Sequence, residues 1–181
     1  VLVLDFKSLY PSIIRSFKID PMGMAIGLYE SLDQKNLVPG FKGAWFAKNK
    51  TILPKLINEL WAWRDQAKAS NNQALSQAIK IIMNSFYGVL GSGGCRFFDA
   101  RLASSISKRG HQIIQQTAEY IEQQSLLGQS CKVIYGDTDS VFVWLQQAEN
   151  DHQAKAIGGQ LAEQLNRWWT QRLQKEYAIE S

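Results

Sequence analysis

Cysteine is scarce in this sequence: Cys95 and Cys131 are the two in 181 residues. That leaves no disulfide framework and no zinc-type spacing to read, and a reducing compartment suits it. Long apolar runs are missing as well. No stretch approaches the ~20 residues that a membrane-crossing helix needs, and no basic-then-apolar leader opens the chain. Internal repeats and low-complexity tracts are absent. So is the charge excess of a disordered chain, because 45% of the residues are hydrophobic, 20% are charged and the net charge is +4. The expectation is a soluble protein of the cytoplasm with no membrane partner. Its length suits one domain, or a domain and a subdomain, since domains commonly hold ~100–200 residues.

What charge there is lies unevenly. Residues 1–40 balance to zero, residues 41–110 carry eleven basic groups against Glu59, Asp65 and Asp99, and residues 111–181 sum to −4. A segment at +8 beside neutral and acidic neighbours suits a polyanion partner, or an ordinary basic surface.

The chain opens within an apolar strand, Val1-Leu2-Val3-Leu4, and reads as a piece of a longer polypeptide. A short helix is expected over Ser12 to Phe17, with Asp20-Pro21 breaking the pattern, and a loop or hairpin from Tyr29 to Lys50. After Leu53-Pro54 a helix should place Leu56, Leu60, Trp63 and Ala67 on one face. A second should run from Gln73 to Tyr87, stopped by Gly88 and the Gly91-Ser92-Gly93-Gly94 stretch. The intervening Ser70-Asn71-Asn72 is short enough to make the two an antiparallel pair. A third helix is expected from Arg101 to Gln124. Two apolar strands follow, Lys132 to Tyr135 and Val141 to Leu145, joined by Gly136-Asp137-Thr138-Asp139. A last helix should reach Tyr177, with Ile157, Leu161, Leu165, Trp168, Trp169 and Leu173 as its core stripe and Gly158-Gly159 weakening it locally. The class is α+β, with the antiparallel hairpin and the first strand in one sheet.

Three carboxylates sit at strand ends. Asp5 closes the first strand, and Asp137 and Asp139 lie two apart at the hairpin tip, a spacing that on a strand points both to one side. Hard cations take oxygen ligands, and two divalent ions bridged by such carboxylates serve phosphoryl transfer. Taken singly, Asp5 reads as well as a cap or turn residue, and Asp137-Thr138-Asp139 as a plain turn. An Asp-Thr-Asp after a strand also suits a phosphatase nucleophile or a glycosyltransferase metal motif, but Ser140-Val141 begins another strand where a phosphatase would need Gly-Thr or Gly-Val. On the helix pair, Arg64 and Lys68 lie at i and i+4, and Lys80, Asn84 and Tyr87 at i, i+4 and i+7. Faces of that kind suit either solvent or a triphosphate, whose charge is spread over several oxygens. Tyr87-Gly88 offers a ring beside a residue without a side chain, either to a base pair or to the core.

In their order along the chain these signals become recognisable. Asp5-Phe6-Lys7-Ser8-Leu9-Tyr10-Pro11-Ser12-Ile13-Ile14 resembles motif A of the family B DNA polymerases. Lys80-Ile81-Ile82-Met83-Asn84-Ser85-Phe86-Tyr87-Gly88 resembles motif B, and Tyr135-Gly136-Asp137-Thr138-Asp139-Ser140 resembles motif C. The longer match, through Arg64-Asp65-Gln66-Ala67-Lys68, Arg96-Phe97-Phe98 and Val143-Trp144-Leu145, is nearest the bacterial polymerases of that family. It covers residues 1–145 closely.

The resemblance implies an antiparallel palm sheet packed on helices, with an antiparallel two-helix fingers subdomain. Palm would be 1–50 and 92–181, and fingers 51–91. It implies a DNA-directed polymerase of replication or repair in the bacterial cytoplasm, associated with the nucleoid and working with two Mg²⁺ ions, for which Mn²⁺ can substitute. Asp5, Asp139 and the Phe6 carbonyl would hold metal, with Asp137 supporting the catalytic pair. Ser8, Leu9, Tyr10, Arg64, Lys68, Lys80 and Asn84 would bind the nucleotide, Tyr10 acting as the steric gate against a ribose 2′-hydroxyl. Tyr87 and Gly88 would border the nascent base pair. Primer–template DNA and deoxynucleoside triphosphates would be the partners, with a sliding clamp reached through the parent chain left open. No segment resembles the family's exonuclease, thumb or primer-gripping motif, so the isolated chain is expected to polymerise poorly or not at all. The alternative is a non-catalytic nucleic-acid-binding module derived from a polymerase.

Overall fold

A computed structural model describes residues 1–123, 125–126, 129–146 and 148–179. The elements run β1 (Leu2–Asp5), α1 (Leu9–Ser16), α2 (Pro21–Tyr29), a 3₁₀ turn (Gln34–Asn36), β2 (Leu37–Pro39), β3 (Trp45–Ala47), α3 (Leu53–Ala69), α4 (Gln73–Leu90), α5 (Ala100–Gln123), β4 (Ser125–Leu126), β5 (Gln129–Gly136), β6 (Ser140–Leu145) and α6 (Asp151–Tyr177). Mixed helix and antiparallel sheet confirm the α+β class. The chain divides into two compact units, one of Val1–Lys7 with Gly110–Ser181 and the other of Ser8–Arg109.

The first unit holds an antiparallel sheet in the order β1-β6-β5-β4. As the alternation in β1 dictates, Leu2 and Leu4 turn inward while Val3 and Asp5 are exposed. The inward face meets Ile121 of α5 and Ile157, Leu161 and Leu165 of α6 around Val141, Val143, Leu145 and Cys131. Burial pushes the Cys131 thiol above its ordinary pKa, so it stays protonated in this core. The glycine pair does not interrupt α6. Gly158 lets that helix approach the sheet, since a Cβ there would come 2.8 Å from Leu2 Cδ1. Trp168 stacks on Tyr120 at 4.5 Å, and Trp169 Nε1 donates to the buried Thr117 Oγ1 at 3.0 Å. The end expected for α5, Gln124, lies outside the described residues.

The second unit is built on α1 to α4, the β2–β3 hairpin and the start of α5. The expected break at Asp20-Pro21 is instead the start of α2. Asp20 is the N-cap, accepting from the Gly23 N–H, and Pro21 takes a first-turn position where no N–H is needed. Residues 37–47 settle as a hairpin, and Gly27 allows α2 against it, because a Cβ there would lie 2.4 Å from the Trp45 carbonyl oxygen. The helix pair α3–α4 forms as expected, with Asn72 capping α4 through the Leu75 N–H at 3.1 Å. Its buried stripe differs from the expected one. Leu53, Pro54, Ile57, Leu60 and Ala67 are the buried residues of α3, whereas Leu56 and Trp63 are exposed. Helix α4 passes the expected end at Tyr87 and Gly88 and continues to Leu90, where Gly91, in the expected glycine stretch, caps it.

Two cations of the basic middle prove to be structural. Arg109 is buried over Phe17 and Phe41, with NH2 donating to the Pro39 carbonyl at 2.9 Å. Arg101 forks onto Asp99, whose carboxylate also accepts from the Arg101 N–H at the start of α5. The Arg101 hydrogen bonds hold the Asp99 carboxyl below its ordinary pKa and raise that of Arg101.

Candidate functional site

The first unit gathers the candidate metal-binding residues at one end of its sheet. Asp5 closes β1 opposite Ser140, the first residue of β6. The chain on both sides of the turn is tied down, with the Asp137 N–H donating to the Ser140 carbonyl at 2.9 Å and the Phe6 N–H to the Asp139 carbonyl at 2.8 Å. Asp5, the last paired residue of β1, and Asp139, just outside the ladder and bonded to Phe6, are therefore brought to the same end of the sheet, and both are exposed. Residues 137–139 lie between the strands, so strand alternation does not govern where Asp137 and Asp139 point. Asp137 Oδ1 accepts from the Thr138 N–H at 2.6 Å and the Thr138 hydroxyl at 3.3 Å, which engages that oxygen in the turn.

Just before the turn, the register shifts between Val133 and Tyr135, leaving Ile134 as an extra residue. A bulge of this kind increases twist and re-aims the strand end. Tyr135 then meets Phe142 edge-to-face at 5.3 Å. Beside β1, Leu4, Asp5, Phe6, Thr117, Leu165 and Trp169 border a cavity of about 110 Å³. The Thr117–Trp169 pair in its wall carries no sequence signal that connects it with Asp5.

Among the described residues no three His, Cys, Asp or Glu side chains converge closely enough to hold a metal by themselves. That donor set still fits Mg²⁺, which typically takes one or two protein carboxylates and fills its octahedron with waters and substrate phosphates. The residues offered for it are the exposed carboxylates of Asp5 and Asp139 at one end of the sheet, with the Phe6 carbonyl next in the chain.

The second unit holds the nucleotide candidates. Ser8 is the N-cap of α1 at φ 52° and ψ 61°, a left-handed conformation, and makes no side-chain cap bond. Leu9 is buried, so its side chain belongs to the core and only its backbone is left for a ligand. Tyr10 is half-buried, its ring 4.6 Å from that of Tyr87. Arg64 shares the buried stripe of α3 and lies half-buried, with NH1 3.4 Å from Ser8 Oγ and a buried Nε that has no hydrogen-bond partner among the described residues. One turn on, Lys68 is exposed. On α4, Lys80 and Asn84 are exposed and Tyr87 is half-buried. A Cβ added at Gly88 would meet nothing within 4 Å.

Comparison with known proteins shows the family. The model of DNA polymerase family B matches residues 1–178. The chain belongs to that family. It is 53% identical to DNA polymerase II of Escherichia coli (strain K12) over 176 residues, which cover 97% of this chain and 22% of that protein. Family members further away include the DNA polymerase alpha catalytic subunit of Oryza sativa subsp. japonica, 31% identical over 92% of this chain and 11% of that subunit. The DNA polymerase delta catalytic subunit of Arabidopsis thaliana is also 31% identical, over 92% of this chain and 17% of that subunit. The chain thus spans about a fifth or less of the length of these family B relatives.

Proposed function

We propose that this chain is the palm and fingers core of a DNA-directed DNA polymerase, acting as part of a longer parent chain in the bacterial cytoplasm. Residues 1–50 and 92–181 are read as palm and 51–91 as fingers. The reaction is attack of the primer 3′-hydroxyl on the α-phosphate of a deoxynucleoside triphosphate, with pyrophosphate leaving. Phosphoryl transfer of this kind needs positioning and charge stabilisation more than covalent help from the protein. The observation that carries the reading is the delivery of Asp5 and Asp139, both exposed, to the same end of the sheet in a family B chain.

Asp5, Asp139 and the Phe6 carbonyl would hold Mg²⁺, with Mn²⁺ as a substitute, and the engaged oxygen of Asp137 supports a role in fixing the turn. When bound, such ions favour the deprotonated 3′-hydroxyl and stabilise charge on the leaving group. Arg64 suits a phosphate because its buried Nε lacks a partner among the described residues, and a guanidinium binds phosphate oxygens in pairs. Lys68 and Lys80 add exposed cations, and Asn84 an amide in the same helix row as Lys80. The uncapped start of α1 at Ser8, Leu9 and Tyr10 offers backbone donors to an anion. Tyr10 would fill the space of a ribose 2′-hydroxyl, and Tyr87 with Gly88 would border the nascent pair on primer–template DNA.

Calorimetric titration of the chain with a deoxynucleoside triphosphate tests this reading. Binding should require Mg²⁺, fail with the monophosphate and be lost in Asp139→Ala. Metal-independent binding that survives in Asp139→Ala would contradict it.

A further inference from the structure

The contact between Tyr10 and Tyr87 joins residues far apart in the chain, and both rings are half-buried. Their centroids are 4.6 Å apart and their planes 42° from parallel, within the tilted geometry that aromatic pairs favour. The backbone of Tyr10 is settled from both sides. Ser8 before it is held in the left-handed region, and Leu9 and Pro11 beside it are buried. Backbone alone leaves the ring a choice of staggered rotamers. Tyr87 narrows that choice. It lies at the edge of α4 between the buried Met83 and Leu90 on one side and the exposed Lys80 and Asn84 on the other. A ring so placed is braced by its own helix and can brace another.

We infer that Tyr87 is a positioning residue for sugar selection. It holds the Tyr10 ring in the place where that ring excludes a ribose 2′-hydroxyl, so discrimination belongs to the pair and not to Tyr10 alone. The inference rests on the polymerase reading above and on Tyr10 as the gate. A steric gate works only while it cannot swing aside, and an aromatic neighbour biases a ring's rotamer by about three- to tenfold. Removing the neighbour should cost discrimination by the same factor.

The test is single-nucleotide incorporation by the full-length polymerase that carries this chain, comparing kcat/KM for each deoxynucleotide and its ribonucleotide. Tyr87→Ala should lower the ratio about three- to tenfold. Tyr87→Phe keeps the ring and should hold the ratio within about twofold. In a Tyr10→Ala background, Tyr87→Ala should lower the ratio no further, because the group it positions is gone. Should Tyr87→Ala fail to fold, Tyr87→Leu keeps apolar bulk beside Met83 without an aromatic face and should show the same loss. An unchanged ratio in the Ala or Leu variant, or losses at Tyr10 and Tyr87 that multiply independently, would overturn this inference alone. No incorporation by the unmodified enzyme with Mg²⁺ would overturn the polymerase reading and the inference with it.

Discussion

Gly88 and Gly158 both sit inside helices, where glycine costs about 1 kcal/mol relative to alanine. Packing accounts for Gly158, which faces Leu2 of β1 at a distance no Cβ tolerates. It does not account for Gly88, whose missing Cβ would meet nothing. Gly88→Ala should therefore stabilise the chain by about 0.5–1 kcal/mol in urea unfolding while slowing primer extension by the parent enzyme. A stabilised variant with undiminished extension would remove Gly88 from the base-pair site. Asp99 gives a pH dependence of determined sign. Its carboxyl is held below the usual value by Arg101, so the stabilisation is fully present above the unfolded-state pKa of about 3.9 and is lost as pH falls through the lower folded value. The pair is partly open to solvent, which limits the effect to about 0.5–1 kcal/mol. Acid unfolding of Asp99→Asn should show correspondingly less loss of stability below about pH 4.

Asp20 organises two elements at once. Fully buried, it accepts from the Gly23 N–H at the start of α2 and from the Ile52 and Leu53 N–H groups at the start of α3. Asp20→Ala would leave the buried Gly23 and Leu53 N–H groups without a partner, and the part-buried Ile52 N–H as well, and a loss of about 2–3 kcal/mol is expected by urea titration, with Asp20→Asn milder. The sequence did contain the signal for this, since Asp followed by Pro is an N-cap followed by a first-turn residue. Reading the pair as a break hid α2. The long helices were legible because their apolar spacing is sustained, as were three strands of the sheet at whose end Asp5 and Asp139 lie. The face of α3 was not legible: Leu56 and Trp63 are the larger apolar residues, yet Leu53 and Ile57 turn inward with Arg64 in the same row. Only tertiary packing decides between two such stripes. The Tyr10–Tyr87 contact was beyond reach for the same reason, because no local pattern announces a pairing across so much chain.

At the scale of the whole molecule, the +8 of residues 41–110 resolves into different jobs. Arg101 and Arg109 hold the fold, whereas Arg64, Lys68 and Lys80 remain the proposed phosphate grip. The carboxylates belong to the other compact unit, so metal binding and phosphate binding are assigned to separate parts of the chain. Because the chain spans 22% of DNA polymerase II, the activity is proposed for the parent enzyme, and the isolated chain should extend primers far more slowly. The central claim is that Asp5 and Asp139 act together in nucleotidyl transfer. Single-nucleotide primer extension by the full-length enzyme carrying Asp5→Ala or Asp139→Ala tests it most directly. Either substitution should lower kcat by about a thousandfold or more, the effect of losing several kcal/mol of charge stabilisation, with DNA affinity kept within about threefold. Turnover near that of the unmodified enzyme in either variant would contradict the account.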